Sequence, residues 1–411
     1  VGFLLSGMKK KEDRLILLLS RTVLSSEVRE EVVKIMRNRI SWEYVVSQST
    51  SLDIAPLFYY NLKKVIGIAG IDGTREIPEM LVQELKDSYY SNASQNIVRR
   101  HQLCRVLEAF QEVGIPAIVL KGAALAELVY PHPALRPMVD VDLLIRYEDL
   151  DSAEKVLQEL EYVPYEEVPP RAWWRENHHH LVPYFAKDKL VFIELHHHIV
   201  PPSKSFTVDI GRMWERAVDT NIAGTRALVL SPEDTILHLS LHLAYSSIGG
   251  LKGLCDISEM IRKYKSNLNW EQIIKESKEY EIERYIYYQL WLAKEMLDAE
   301  IPSDVLRHLE KDIKPGSIED RVLKGMIKRY VVIADQSGHF VPLGFIKLLS
   351  EKLLADMKRT NVFMVFLSSV LDIIKISARR NYRGSRLMPL YMLFHIFRLL
   401  FKYTGIKFHR A

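Results

Sequence analysis

The sequence predicts an α+β chain in which a small mixed-sheet core sits between N-terminal and C-terminal helical regions. Three observations carry that expectation. Residues from about 10 to 112 keep a helical periodicity of apolar positions, the stretch 114–200 alternates short apolar runs with helical segments, and helical periodicity returns after Pro201-Pro202. The implied organisation is a helical region (1–112), an α/β core (113–202), a helical domain completing the cleft (203–300) and a C-terminal helical region with a basic amphipathic tail (301–411).

In the first region, "SSEVREEVVKIMRNRI" is amphipathic with Ser25 and Ser26 as N-cap candidates, and "PEMLVQELKDSYYSNASQNIVRRHQLCRVLEAFQEV" is helical throughout. The character changes at "GIPAIVL" (Gly114 to Leu120), a continuously apolar run that predicts a buried strand. "KGAALAELVY" follows as a helix, broken by "PHPALRP"; "VDVDLLI" is the next strand and "YEDLDSAEKVLQELEY" the next helix. "HHHLVPYF" (His178 to Phe185) and "LVFIELHHHIV" (Leu190 to Val200) predict a pair of strands turned by "AKDK". After Pro201-Pro202 only helices are expected. The best-marked of these, "LSPEDTILHLSLHLAYSS", has Ser231 as N-cap, Pro232 at the first helical position and Glu233 and Asp234 in the positive first turn.

Composition excludes several classes. With 411 residues, 48% hydrophobic and 26% charged, the chain reads as an ordinary globular protein rather than a disordered or fibrous one. Its two cysteines, Cys104 and Cys255, have no partners at metal-ligand spacing, which argues against a disulfide framework and fits a reducing, cytoplasmic setting. At the N-terminus, "VGFLLSGMKKKEDR" places its basic residues after the apolar run, the reverse of signal-peptide order. The longest apolar stretches, "NVFMVFLSSVL" and "LMPLYMLFHIF", fall short of a membrane span. The net charge of +4 is uneven: from Ile373 to Ala411 there are nine basic residues and no acidic one, a basic appendage on a mildly acidic body. The favoured reading of that tail is an amphipathic helix packed on the body. The alternatives are a peripheral contact with an anionic membrane surface, at the inner membrane face, or with nucleic acid or another partner.

The chemistry concentrates in "LRPMVDVDLLI". In a strand, residues i and i+2 share a face, so Asp140 and Asp142 project side by side, roughly 7 Å apart at Cα. Buried carboxylates need a positive neighbour, and an oxygen-rich pair suits Mg²⁺ or Mn²⁺ better than zinc. Glu194, in the middle of an apolar strand, supplies a third carboxylate; three on two strands would hold two ions about 3.5–4 Å apart, as in-line phosphoryl displacement requires. Lys121 and Gly122 open a helix after the first strand, where backbone N–H groups and a cation favour a phosphate. Arg136 suits a phosphate or the neutralisation of a carboxylate.

Together, "VLKGAALAELVY", "LRPMVDVDLLI" and "VFIELHHHI" resemble the polymerase-β-type nucleotidyltransferase superfamily, with its glycine-containing turn, Asp-x-Asp strand and third acidic residue on a later strand. The block is most similar to the uncharacterised bacterial and archaeal nucleotidyltransferase group with "LKG", "LRPM.D.DLL", "ELH" and "LSPED…H…H", and the match spans roughly 115 to 290. The resemblance implies a nucleotidyltransferase core that moves an NMP group from an NTP to a hydroxyl acceptor, releasing pyrophosphate. It assigns metal binding and catalysis to Asp140, Asp142 and Glu194, and nucleotide contacts to Lys121, Gly122, Ala123 and Arg136. Ala123 is a departure, since the superfamily commonly has Gly or Ser after the turn glycine. The implied acceptor is a small molecule, a protein side chain or an RNA end.

Two other readings are open on sequence. One is a non-catalytic binding or scaffold protein that keeps the fold and uses the basic tail. The other is a metal-dependent hydrolase built on the two internal histidine triplets, His178–His180 and His196–His198. On strand alternation, His196 and His198 share the face of Glu194, and His180 approaches from the paired strand, which suits a supporting or phosphate-contacting role. His238 and His242, at i and i+4, lack the glutamate of a zinc-protease helix, and Asp256 fits either the cleft or a helix cap.

Overall fold

A computed structural model describes residues 11–69, 77–165, 171–186, 191–202, 208–222, 224–245 and 250–310. The chain divides into two units, residues 1–244 with 248–311 and residues 245–247 with 312–411; the sheet and the candidate site belong to the first. The expectations placed on the basic tail lie outside the described residues.

Five helices come first: α1 (Lys11–Leu18), α2 (Ser26–Met36), α3 (Trp42–Ser51), α4 (Ala55–Ala69) and α5 (Glu79–Glu112). Ser25 caps α2, its hydroxyl accepting from the Val28 N–H at 3.3 Å. The 34-residue α5 ends where Gly114 takes φ +75. There the Ile115 N–H reaches the Phe110 carbonyl and the Gly114 N–H the Gln111 carbonyl, a left-handed stop that a side chain would strain. That stop turns the chain into the sheet.

The sheet strands are β1 (Ala117–Val119), β2 (Asp140–Ile145), β3 (Val163–Pro164), β4 (Tyr184–Ala186), β5 (Val191–His196), β6 (Val218–Ile222) and β7 (Thr225–Val229). Their spatial order is β3-β4-β5-β2-β1-β7-β6. It is a mixed sheet, as expected for the α+β class: β2 runs parallel to β5 and antiparallel to β1, and β1 runs parallel to β7. Helices α6 (Lys121–Leu128), α7 (Leu150–Glu159), α8 (Arg171–Asn177) and α9 (Ile210–Glu215) lie between the strands in sequence. They are followed by α10 (Pro232–Tyr245), α11 (Gly250–Tyr264), α12 (Trp270–Glu279), α13 (Glu283–Leu297) and α14 (Ser303–Glu310). No helix among the described residues is long and apolar enough to cross a membrane.

Two sequence expectations are corrected here. The sheet does not stop near residue 202, because the β6–β7 hairpin adds β7 beside β1. Its strands are short, and β6 is mostly solvent-facing with a polar sequence, VDTNI, so the apolar signal of a strand is weak. The histidine-rich run is also no continuous strand. Only Tyr184–Ala186 forms a strand; His178–His180 precede it beyond the end of α8, with His180 making an isolated antiparallel bridge to His196.

Alternation on the central strands separates two faces. Val141, Leu143 and Ile145 of β2 and Val191, Ile193 and Leu195 of β5 enter the hydrophobic core, with Val106 and Phe110 of α5 and Leu157 of α7. Asp140, Asp142, Glu194 and His196 occupy the alternate positions on the same strands. The same long helix also steadies the chain leading into β2. Asn92 donates to the Ala134 carbonyl (2.7 Å), Asn96 to those of Pro133 (2.9 Å) and Arg136 (3.0 Å), and Arg99 to that of Val139 (3.3 Å). Three of these bonds go to carbonyls of the "PHPALRP" segment and the fourth to Val139, and together they deliver Asp140 to the start of its strand.

Candidate active site

The parallel register of β2 and β5 sets Asp142 opposite Glu194 and Asp140 opposite Phe192. Asp140, Asp142 and Glu194 are thus brought to one face by pairing alone. Lys121 arrives from the neighbouring strand: β1 runs antiparallel to β2, and the Leu120 N–H bonds the Asp142 carbonyl at 3.0 Å. The next residue's ammonium then lies 2.9 Å from Asp142 Oδ1. Lys121 holds φ at +40, a strained value for a lysine, and such strain tends to collect at functional sites.

Asp142 is 3% exposed. Its Oδ1 also accepts from His196 Nε2 at 2.8 Å, and that nitrogen lies 3.4 Å from Glu194 Oε2. His180 Nε2 approaches Glu194 to 3.8 Å while its Nδ1 donates to the Leu181 carbonyl at 2.6 Å. Among the described residues, Asp142, Glu194 and His196 form one of two groups whose ligand atoms lie within 4.8 Å of one another, the other being His178, His179 and His180.

The electrostatics follow from this crowding. Burial raises the Asp142 carboxyl, but Lys121 and His196 outweigh it and hold the group well below the usual carboxylate range. Glu194 goes the same way, burial being overcome by His196 and His180. Asp140 is left over: burial, then Asp142 and Glu194, push it up to about 6. Lys121 and His196 are both depressed by burial and both end above their ordinary values, because their carboxylate partners win. His178 is pushed by burial down to about 3 and His180 is lowered for the same leading reason, so these rings are neutral near pH 7. In direct contact with this carboxylate set are Lys121 and His196, and His180 lies 3.8 Å from Glu194.

Other expected residues have different occupations. Arg136, read from sequence as a nucleotide contact or as a partner for a carboxylate, is engaged within the fold. Its guanidinium grips Asp256 of α11 at 2.8 Å (Nη2–Oδ2) and 3.3 Å (Nε–Oδ1), and Asp256 also accepts from the Tyr130 hydroxyl at 2.8 Å. Both partners are buried, so the arginine is consumed inside the fold. Gly122 admits this arrangement: a Cβ there would stand 2.4 Å from Arg136 Nη1 and 3.0 Å from Met138 Cβ. Ala123 packs its methyl into the hydrophobic core, so only backbone at this turn is left for a phosphate. His198, read from sequence as a supporting residue, has backbone partners. It lies past the end of β5, where Nε2 donates to the Val208 carbonyl and Nδ1 accepts from the Val200 N–H, both at 3.1 Å. Ser231 caps α10 as expected, accepting from the Asp234 N–H at 3.1 Å, while Asp234 binds Arg216 through both oxygens.

Sequence reasoning gave His196 a lesser role than its two carboxylate contacts warrant, and it passed over Arg99, whose charge is felt by Asp140. A signal for Arg99 was present in the spacing Asn92, Asn96, Arg99, a buried polar stripe at i, i+4 and i+7 on one helix.

Comparison with known families gives the kind of protein to which this fold belongs. A model described as uncharacterised nucleotidyltransferase matches residues 38–298, and the chain belongs to that family. No curated protein and no solved structure matches it.

Proposed function

We propose that the chain transfers a nucleotidyl group from a nucleoside triphosphate to a hydroxyl acceptor, with Mg²⁺ or Mn²⁺ held by Asp140, Asp142 and Glu194. The observation that carries this reading is the register that sets Asp142 opposite Glu194 with Asp140 along the same face. An oxygen-rich donor set with surplus negative charge fits a hard divalent cation. Such an ion, when bound, stabilises charge on the α-phosphate and the departing pyrophosphate.

The chain's own groups do the remaining work. Lys121 neutralises Asp142 while no metal is present, and its ammonium is the group that turns to a phosphate oxygen once a cation takes over that task. His196 donates to Asp142 and fixes which carboxylate lone pairs face outward. Backbone N–H groups at the start of α6 receive the triphosphate, since Gly122 and Ala123 offer no polar side chain. Glu194 completes the carboxylate set and positions the attacking hydroxyl. The acceptor is a small molecule, a protein side chain or an RNA end.

Calorimetric titration with each of the four NTPs in Mg²⁺, beside Asp140→Asn/Asp142→Asn, tests the reading. Metal-dependent binding of at least one NTP that disappears in the double variant is the expected result. Heatless titrations with all four, in wild type and variant alike, would overturn the transferase assignment in favour of a fold kept for binding something else.

A further inference from the structure

Beside the carboxylates lies a second cluster that nucleotidyl transfer does not use. The N–H groups of His197 and His198 both bond the His179 carbonyl, at 3.0 and 3.2 Å, and the Leu181 N–H bonds the Leu195 carbonyl at 2.8 Å. This short pairing lays residues 179–181 along the end of β5 and gathers consecutive histidines into one place. The ring centroids of His178 and His180 are 4.0 Å apart, those of His178 and His179 4.5 Å, and those of His179 and His180 4.9 Å.

The first pair is edge-to-face, the second stacked and the third edge-to-face, so three imidazoles crowd together where the chain runs beside the end of β5. Two of the rings carry an unsatisfied nitrogen: Nδ1 of His178 and Nδ1 of His179 are both buried without a hydrogen-bond partner. His180 differs in a telling way. Its Nδ1 donates to the Leu181 carbonyl at 2.6 Å, which fixes the tautomer and leaves Nε2, 3.8 Å from Glu194 Oε2, as the nitrogen with the lone pair. That backbone bond is the support a metal-ligating histidine ordinarily has on its far nitrogen. Trp174 closes one side, its ring 5.2 Å from His178 and 5.6 Å from His180.

We infer that His178, His179 and His180 form a binding site for a borderline-soft divalent cation of the zinc class, adjoining the carboxylate site but built without its carboxylates. One ligand nitrogen from each ring already lies within 4.8 Å of the others. A tetrahedral site with Zn–N bonds of about 2.0–2.1 Å needs nitrogens roughly 3.4 Å apart, so loading draws the rings together by an ångström or so. An all-imidazole set prefers such ions to Mg²⁺, just as the carboxylates prefer Mg²⁺. Three protein ligands leave one position for an exchangeable fourth.

The test uses the full chain, untagged and stripped with a chelator. Zinc is titrated in competition with a chromogenic chelator, and cobalt is followed by its visible absorption. One zinc per chain, a cobalt spectrum of tetrahedral intensity, and affinity weakened by about tenfold or more in both His178→Gln and His179→Gln are expected, with Asp142→Asn leaving zinc binding unchanged. Unaltered circular dichroism and melting of the metal-free variants show that the lost affinity is not lost folding; the two variants serve as checks on each other. Zinc binding that survives both histidine changes but vanishes in Asp142→Asn would place the ion among the carboxylates and overturn the inference. Failure of zinc to compete with the chelator would do the same. Neither result bears on the Mg²⁺-NTP titration, which is read separately.

Discussion

Two buried charge clusters flank Gly122, and they are built on opposite plans. Around Asp256 the account closes: one guanidinium meets one carboxylate through two bonds, Tyr130 donates a third, and the remaining Nη1 of Arg136 donates to the Pro137 carbonyl. Around Asp142 it stays open, with Asp140, Asp142 and Glu194 served by Lys121 and His196. In a low-dielectric interior the closed arrangement is a fastener and the open one is a deficit waiting for a cation. A neighbouring arginine and a neighbouring Asp-x-Asp look alike as charges on a sequence; how fully each is satisfied tells which one binds something.

The sharpest way to break the comparison is to open the closed cluster. Asp256→Ala strands a buried guanidinium and the Tyr130 hydroxyl, and such losses cost about 3–5 kcal/mol. Urea denaturation should show that loss, and Arg136→Met in the same chain should return much of it, since the cost comes from the orphaned charge rather than from the pair. A double variant as unstable as Asp256→Ala alone would mean that the pair is not what holds α11 to the loop before β2.

Gly122→Ala comes next, because it presses on the wall between the clusters. The new methyl would meet Arg136 Nη1 at 2.4 Å and Met138 Cβ at 3.0 Å. The guanidinium is the far end of a flexible side chain but is pinned by Asp256, so overpacking of about 1–3 kcal/mol is expected. Thermal unfolding checks it. A neutral substitution would show that Arg136 gives way cheaply and that the closed cluster is softer than its bonds suggest.

The legible parts of this molecule are those governed by local periodicity. Asp140 and Asp142 reveal a shared face because the strand period is two, and Glu194 betrays itself as a lone acid in an apolar run; β-pairing then had only one economical way to unite them. Ser231 and Gly114 mark helix ends by chemistry confined to a few residues. What stayed hidden depends on distance along the chain. Asp256 lies 120 residues from Arg136 and fits the cleft or a helix cap on sequence, so nothing local pairs it with an arginine that suits a phosphate as well as a carboxylate. His198 follows the strand's alternation in sequence, yet the chain leaves the strand at His196, and its ring bonds to backbone instead. The β6–β7 hairpin escaped because exposed strands carry little apolar signal.

The smallest expected effect is also the one with an unusual sign. Asp140, at about 6 in the folded chain against 3.8 ordinarily, is a carboxyl that folding prefers to keep protonated. A raised folded-state value means its contribution is fully present below about pH 4 and is lost as pH rises through 6. Above pH 6 the wild-type protein therefore bears the repulsion from Asp142 and Glu194, and Asp140→Asn removes it. Two pH units would be worth ~3 kcal/mol, but partial solvent access and coupling to its neighbours reduce this to ~1 kcal/mol. Melting of the metal-free proteins should show the variant more stable at pH 7.5 and equal to wild type at pH 4. Added Mg²⁺ should reverse the order at pH 7.5, because only the wild type has all three carboxylates to offer it. A variant less stable than wild type in the absence of metal would mean that Asp140 is already paid for by a partner such as Arg99, and that the open cluster is closed after all.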